Sequence, residues 1–293
     1  MLISTLKHFK KNTKFYGVIN MSDDLVFKKL LKGNQRAITF LYSLLIYDDR
    51  CYDNPTANID AQLKYLSNNY SHNFNLILSL YQQWKSSQFD SQLLDAIEGD
   101  ERQIRVLLYA LYNLKELPKN YQIFSNSPYS ELVCLCDYCE FEKIRGFNFN
   151  FILIRVKNSL QDLSWLQWEI EDNTTWAINY INKNKNNSRF RLDRYENRPS
   201  NNSNNEEEKK SFIAYFFDSL AFSDRHEAEL FLLKMKRAYS QRKYRNENPE
   251  RVASNYMLCK EVKIKLKEIA KKERLKLNET IELLINEAHK KLE

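Results

Sequence analysis

The chain has 293 residues, of which 43% are apolar, with only four Gly and five Pro. This length holds one large domain or two smaller ones around a real core, the apolar share excludes a disordered chain, and the scarcity of Gly and Pro excludes an all-β fold or one rich in glycine loops. The net charge of +7 is uneven: residues 234–293 carry 17 Lys and Arg against 9 Asp and Glu, while the rest carries 28 against 29. The whole positive excess lies in the last fifth of the chain, the footprint expected for a polyanion such as nucleic acid.

The N-terminal stretch MLISTLKHFKKNTKF has no apolar core and no small-residue cleavage site, so no signal peptide is expected. The longest apolar run, ITFLYSLLIY (38–47), is about half of the roughly 20 residues that a membrane span requires. Five cysteines is an odd number and fits a reducing compartment. A cytoplasmic location without membrane contact is expected.

Residues 1–145 form the first expected domain, all-helical and of unassigned role. LVFKKLLKGNQRAITFLYSLLIY follows the capping residues Ser22, Asp23 and Asp24 and contains a break at Gly33. AQLKYLSNNY, FNLILSLYQQW, SQLLDAI and ERQIRVLLYALYNL follow, with apolar residues near helical spacing; the last places Ile104, Leu107, Leu108 and Leu111 on one face. A loop bracketed by Pro118 and Pro128 precedes another helical stretch, SELVCLCDYCEFEKI. No internal repeat is evident.

A second helical segment covers 146–181. FNFNFILIRV alternates like a strand at its start, but runs into SLQDLSWLQWEI and is assigned to helix; TTWAINYI is a further short helix. Residues 182–210 are polar and of low complexity, a linker or long loop. Residues 211–248 return to helix, and Ser223 and Asp224 cap a segment that begins apolar and ends basic, with Lys234, Lys236, Arg237, Arg242, Lys243 and Arg245 before Pro249.

Residues 249–293 form the last expected module. In ASNYMLC, Tyr256 and Leu258 alternate with Ala253, Asn255 and Met257, the pattern of a short strand. Then Val262, Leu266, Ile269 and Ala270 form a narrow apolar stripe, with Lys263, Lys267 and Lys271 in a row beside it. After ERLKLN, a second helix repeats Ile281, Leu284, Ile285 and Ala288. A lone strand leaves its edge unpaired, and two short helices bury too little, so two copies are expected to interlock as a homodimer. Its core would be Tyr256, Leu258, Val262, Leu266, Ile269, Ile281, Leu284 and Ile285.

The residues NYML, EVKIKLKEIAKK and LNETIELLINEA resemble the ribbon-helix-helix family of DNA-binding proteins, and within it the MatP-like branch that organises the chromosomal terminus region. The basic helix LKMKRAYSQRKYR is similar to the one that leads into the ribbon of that branch. The resemblance covers roughly 211–293 and implies a fold class: mainly α, an N-terminal helical domain followed by a β-α-α ribbon-helix-helix module. It implies a nucleoid-associated, sequence-selective protein that binds double-stranded DNA. A two-stranded ribbon would read the major groove through Ala253, Asn255 and Met257. Phosphates would be met by the six cations of 234–245 and by the helix start at Leu277, Asn278 and Glu279. Three departures are expected from the resemblance: the coiled coil of that branch has no counterpart up to Glu293, roughly 150–200 N-terminal residues have no counterpart in the branch, and the turn glycine usual in the family is Arg274 here.

Other constellations point less far. Cys134, Cys136 and Cys139 are too tightly spaced for a zinc knuckle and diverge on a helix, so no metal or cofactor is expected. His8, His72, His226 and His289 are scattered, and no phosphate-cradling glycine motif is present, so no catalytic residue is assigned. The N-terminal domain is expected to bind a protein partner or to organise higher assemblies that bridge DNA sites. A repressor or antitoxin-like regulator, or a DNA-tethered effector with an enzymatic N-terminal domain, are the alternative readings.

Overall fold

A computed structural model describes residues 29–49, 55–70, 73–169, 172–184, 205–250 and 257–292. The chain divides into two compact units, Met1–Tyr239 and Ser240–Glu293. Every regular element among the described residues is helical. The first unit contains α1 (Gln35–Asp49), α2 (Ile59–Tyr70), α3 (Phe74–Ser86), α4 (Glu101–Tyr112), α5 (Pro128–Phe141), α6 (Phe149–Ser159), α7 (Asn173–Asn184) and α8 (Glu206–Ser223). It also contains most of α9 (Arg225–Glu247), which crosses into the second unit. The second unit adds α10 (Lys260–Glu273) and α11 (Leu277–Lys290).

This overturns the expected fold class. The β element placed at 253–259 is absent among the described residues. Ala253, Asn255 and Tyr256 lie outside those residues. Met257, Leu258 and Cys259 are described and pair with no other strand; Cys259 is extended (φ −62°, ψ 157°) only as the residue before α10. A strand exists through backbone pairing with a neighbour, and the described chain offers none. The chain is all-helical where it is described, and the ribbon-helix-helix assignment falls with the ribbon.

Among the described residues, the longer helices of the first unit fall into three consecutive sets of three, which the sequence reading missed. α1, α2 and α3 correspond to α4, α5 and α6, and then to α7, α8 and α9. The first two repeats align over their first helices at a shift of 66 positions: Gly33, Arg36, Ile38, Leu41 and Leu45 recur as Gly99, Arg102, Ile104, Leu107 and Leu111. Gly33 and Gly99 both adopt positive φ (82° and 93°), a turn that glycine makes without steric cost. The next residue caps the helix in both. Asn34 accepts the Ala37 N–H at 3.0 Å, and Asp100 accepts the Gln103 N–H at 2.9 Å. Asp172, directly before α7, also adopts positive φ (78°).

The helices also pack alike. α1 lies on α2, α3 and α5, and α4 lies on α5, α6 and α8. An arginine–aspartate clasp ties consecutive repeats together at equivalent points. Arg36 donates from Nε to Asp137 Oδ2 (2.8 Å) and from Nη2 to Asp137 Oδ1 (2.6 Å) and the Phe89 carbonyl (2.7 Å). The Phe89 N–H donates to Asp137 Oδ1 at 2.9 Å. Arg102 donates from Nε to Asp218 Oδ2 (2.6 Å) and from Nη2 to Asp218 Oδ1 (2.8 Å) and the Gln161 carbonyl (2.6 Å). The Gln161 N–H donates to Asp218 Oδ1 at 2.7 Å. Both carboxylates are fully buried. Burial pushes the Asp218 carboxyl up, against the opposing pull of Arg102; burial would lower the Arg102 guanidinium, but Asp218 turns its net direction upward.

Two apolar clusters result. One runs from Leu31 through Val156 and includes the stacked pair Tyr121 and Tyr138, with ring centroids 3.7 Å apart. The other gathers α7, α8 and α9 around Phe216, Phe217 and Phe231. Cys134, Cys136 and Cys139 are buried on α5, and no group of side chains suited to a metal ion is present among the described residues. The polar segment expected at 182–210 is shorter at both ends, because α7 runs to Asn184 and α8 begins at Glu206. No helix among the described residues is long and apolar enough to cross a membrane.

Candidate nucleic-acid interface

The second unit contains a two-helix hairpin. α10 ends at Arg274, which takes the left-handed conformation (φ 59°, ψ 32°), and the Leu275 N–H returns to the Ala270 carbonyl at 3.0 Å. α11 begins after Lys276, whose N–H donates to Glu279 Oε2 at 2.9 Å. Thr280 donates to the Lys276 carbonyl at 3.0 Å and is buried. The turn is therefore satisfied locally, with one non-glycine residue where glycine is the low-strain choice.

The hairpin has two contrasting faces. One is an open apolar groove of about 390 Å³, lined by Leu258, Val262, Leu266, Ile269, Ile281, Leu284, Ile285 and Ala288, with Lys265 at its rim. Seven of the eight residues expected to form a dimer core thus share one surface; the eighth, Tyr256, lies outside the described residues. Only Leu266 and Ala270 among the apolar side chains are buried within the hairpin, whereas Val262 is 46% and Ile285 56% exposed. The other faces of α10 carry Lys260, Lys263, Lys267 and Lys271, all exposed, interspersed with exposed Glu261, Glu268 and Ile264.

The remaining expected site residues divide by unit. Lys234, Lys236 and Arg237 belong to the first unit, where all three are exposed and the Lys236 ammonium lies 5.5 Å from the centre of the Trp165 ring. Arg242, Lys243 and Arg245 belong to the second; Lys243 and Arg245 are exposed and Arg242 is half-buried. Met257 is fully exposed. Ala253 and Asn255 lie outside the described residues, and no ribbon supports base reading by these three. At the start of α11, Leu277 and Asn278 are exposed, but the Glu279 carboxylate already accepts the Lys276 N–H and sets a negative charge there. Sequence reasoning missed the two clasps; their signal was the Gly-x-x-Arg spacing at 33–36 and 99–102.

Comparison with protein-family models, with curated proteins and with solved structures returned no match.

Proposed function

We propose that this chain is a DNA-binding protein that acts as a homodimer through its C-terminal unit and associates with the nucleoid. The observation that carries this reading is the two-faced hairpin: an apolar groove on one side and a row of lysines on the other. Covering the groove with a second hairpin removes the exposed half of the Val262 and Ile285 side chains from water, which stabilises by about 1 kcal/mol for each, about half the value for burying such a side chain completely. A hairpin of this length rarely folds without such help. Two joined hairpins would double the cationic surface, and the basic half of α9 adds the phosphate-directed cations.

Contacts of this kind fix a protein on the duplex through counterion release and give steep salt dependence, about 0.9 log units of affinity per log unit of salt for each phosphate neutralised. The test is fluorescence anisotropy of a labelled random-sequence duplex over a salt series. Affinity is expected to fall steeply with salt, and Lys263→Gln/Lys267→Gln is expected to flatten the slope by about two. Salt-independent binding, or none at low ionic strength, rejects the reading. Sequence selectivity is tested separately, by competition between specific and random duplexes.

A further inference from the structure

The repeats provide an internal control for what the fold itself requires of a surface. α3 and α6 align at a shift of 72 positions: buried Ile77, Leu80 and Trp84 correspond to buried Phe149, Ile152 and Val156. On their outward faces the two helices diverge. α3 carries Ser79, Gln82 and Gln83 where α6 carries Phe151, Ile154 and Arg155. Phe151 is 62% and Ile154 60% exposed. The neighbouring helix ends differ too: Glu140 in the last turn of α5 and Glu142 just after it stand where the last turn of α8 carries Ala221 and Ser223. One scaffold thus presents a polar helix face in the first repeat and a more apolar one in the second. Folding does not demand large apolar groups there, because the first repeat does without them.

These residues line a groove of about 360 Å³. Its floor is Phe151, Ile154, Ala221 and Phe222, and two cations flank it. Arg155 lies over the Phe222 ring, 4.4 Å from its centre, and donates to the Phe222 carbonyl at 2.7 Å. Arg225 stands at the start of α9, paired to the exposed Glu229 at 3.0 Å. The third repeat keeps the theme. At a further shift of 79 positions, Leu230, Leu233 and Lys234 replace Phe151, Ile154 and Arg155, and both leucines are exposed.

We infer that this groove is a docking site for an acidic amphipathic segment of another protein. Two apolar side chains at helical spacing fill the floor, and flanking carboxylates meet Arg155 and Arg225. The surface belongs to the first unit and stands whether or not the second unit binds DNA.

The test is selection of a random-peptide display library on the full chain, with counter-selection on Phe151→Ser/Ile154→Gln. That variant imports the residues the first repeat already uses at these places, so its helix content and unfolding midpoint should match the parent. Enriched peptides should carry paired apolar residues bordered by Asp or Glu. Their affinity should fall about tenfold or more on the double variant, as expected when central anchors are removed. It should fall about threefold on Arg225→Gln, which removes the groove cation and its exposed pair to Glu229 without placing two carboxylates four residues apart. Enrichment of basic peptides, or of peptides that bind parent and double variant alike, overturns the inference. So does sedimentation showing self-association that the double variant abolishes, because the occupant would then be a second copy.

Discussion

Asp218 lies 81 positions after Asp137 and performs the same task one repeat later, receiving two guanidinium hydrogen bonds and one backbone N–H. Each carboxylate is wholly buried, so removing it strands an arginine and a backbone N–H together. Such a loss costs about 3–5 kcal/mol when the remaining charge stays buried. The side chain of Arg36 is 21% exposed and that of Arg102 39%. Arg102 therefore recovers more hydration when its partner is lost. Asp137→Ala is expected to destabilise the first unit by the larger amount, and Asp218→Ala by clearly less, in paired urea unfolding curves. The Trp84 N–H, which also donates to Asp137 at 3.0 Å, deepens the difference. Equal losses would show that exposure does not set the strength of the two clasps.

Burial pushes the thiols of Cys134, Cys136 and Cys139 well above the usual thiol range. Cys259 is exposed at the start of α10. In a Cys51→Ser background, a thiol reagent at mildly alkaline pH should label Cys259 in the native chain and all four remaining cysteines after denaturation. The linkage has a definite sign. The folded chain holds these thiol protons after an unfolded chain has released them, so stability should fall as pH rises above the ordinary thiol value of about 9. Rapid native labelling of any α5 cysteine would contradict the packing around that helix.

Helical periodicity made most of the described helices legible, including the buried face of α4 and the apolar stripes of α10 and α11. The expected strand failed for a definite reason. Alternation over the few residues of ASNYMLC is a local pattern, while a strand is a pairing relationship that no local pattern supplies. The repeats escaped notice because they share few side chains. Between α5 and α8, for example, Ser130, Asp137 and Phe141 recur as Ser211, Asp218 and Phe222 while most positions between them differ. What persists is burial and one ion pair, and the ion pair joins residues about a hundred positions apart. The apolar groove of the hairpin was legible because its side chains recur at a fixed helical interval, whereas the groove beside α6 depends on two helices far apart in sequence.

Arg274 holds a left-handed conformation that a side chain makes unfavourable by about 1–2 kcal/mol relative to the right-handed one. Glycine has no such penalty but loses more chain entropy on folding. Arg274→Gly is therefore expected to stabilise the second unit by about 0.5–1 kcal/mol, read as a raised unfolding midpoint. The Leu275 N–H bond to Ala270 is kept by either residue. A lowered midpoint would mean that the Arg274 side chain makes a compensating contribution.

The hairpin groove makes the most demanding prediction. Val262 stands on α10 and Ile285 on α11, and both face the open groove. Val262→Lys or Ile285→Lys barely disturbs a lone hairpin, since each position is already near half exposed. In a homodimer the same lysine would enter a closed apolar interface and meet no counter-charge, because the groove's own rim is cationic at Lys265. Either substitution should therefore convert dimer to monomer in sedimentation equilibrium. It should also weaken DNA binding, although it adds a positive charge. That opposition separates the two roles of the unit: a purely electrostatic monomer would bind DNA more tightly with an added lysine. Unchanged mass together with tighter DNA binding would remove the dimer from the proposal and leave only the cationic surface.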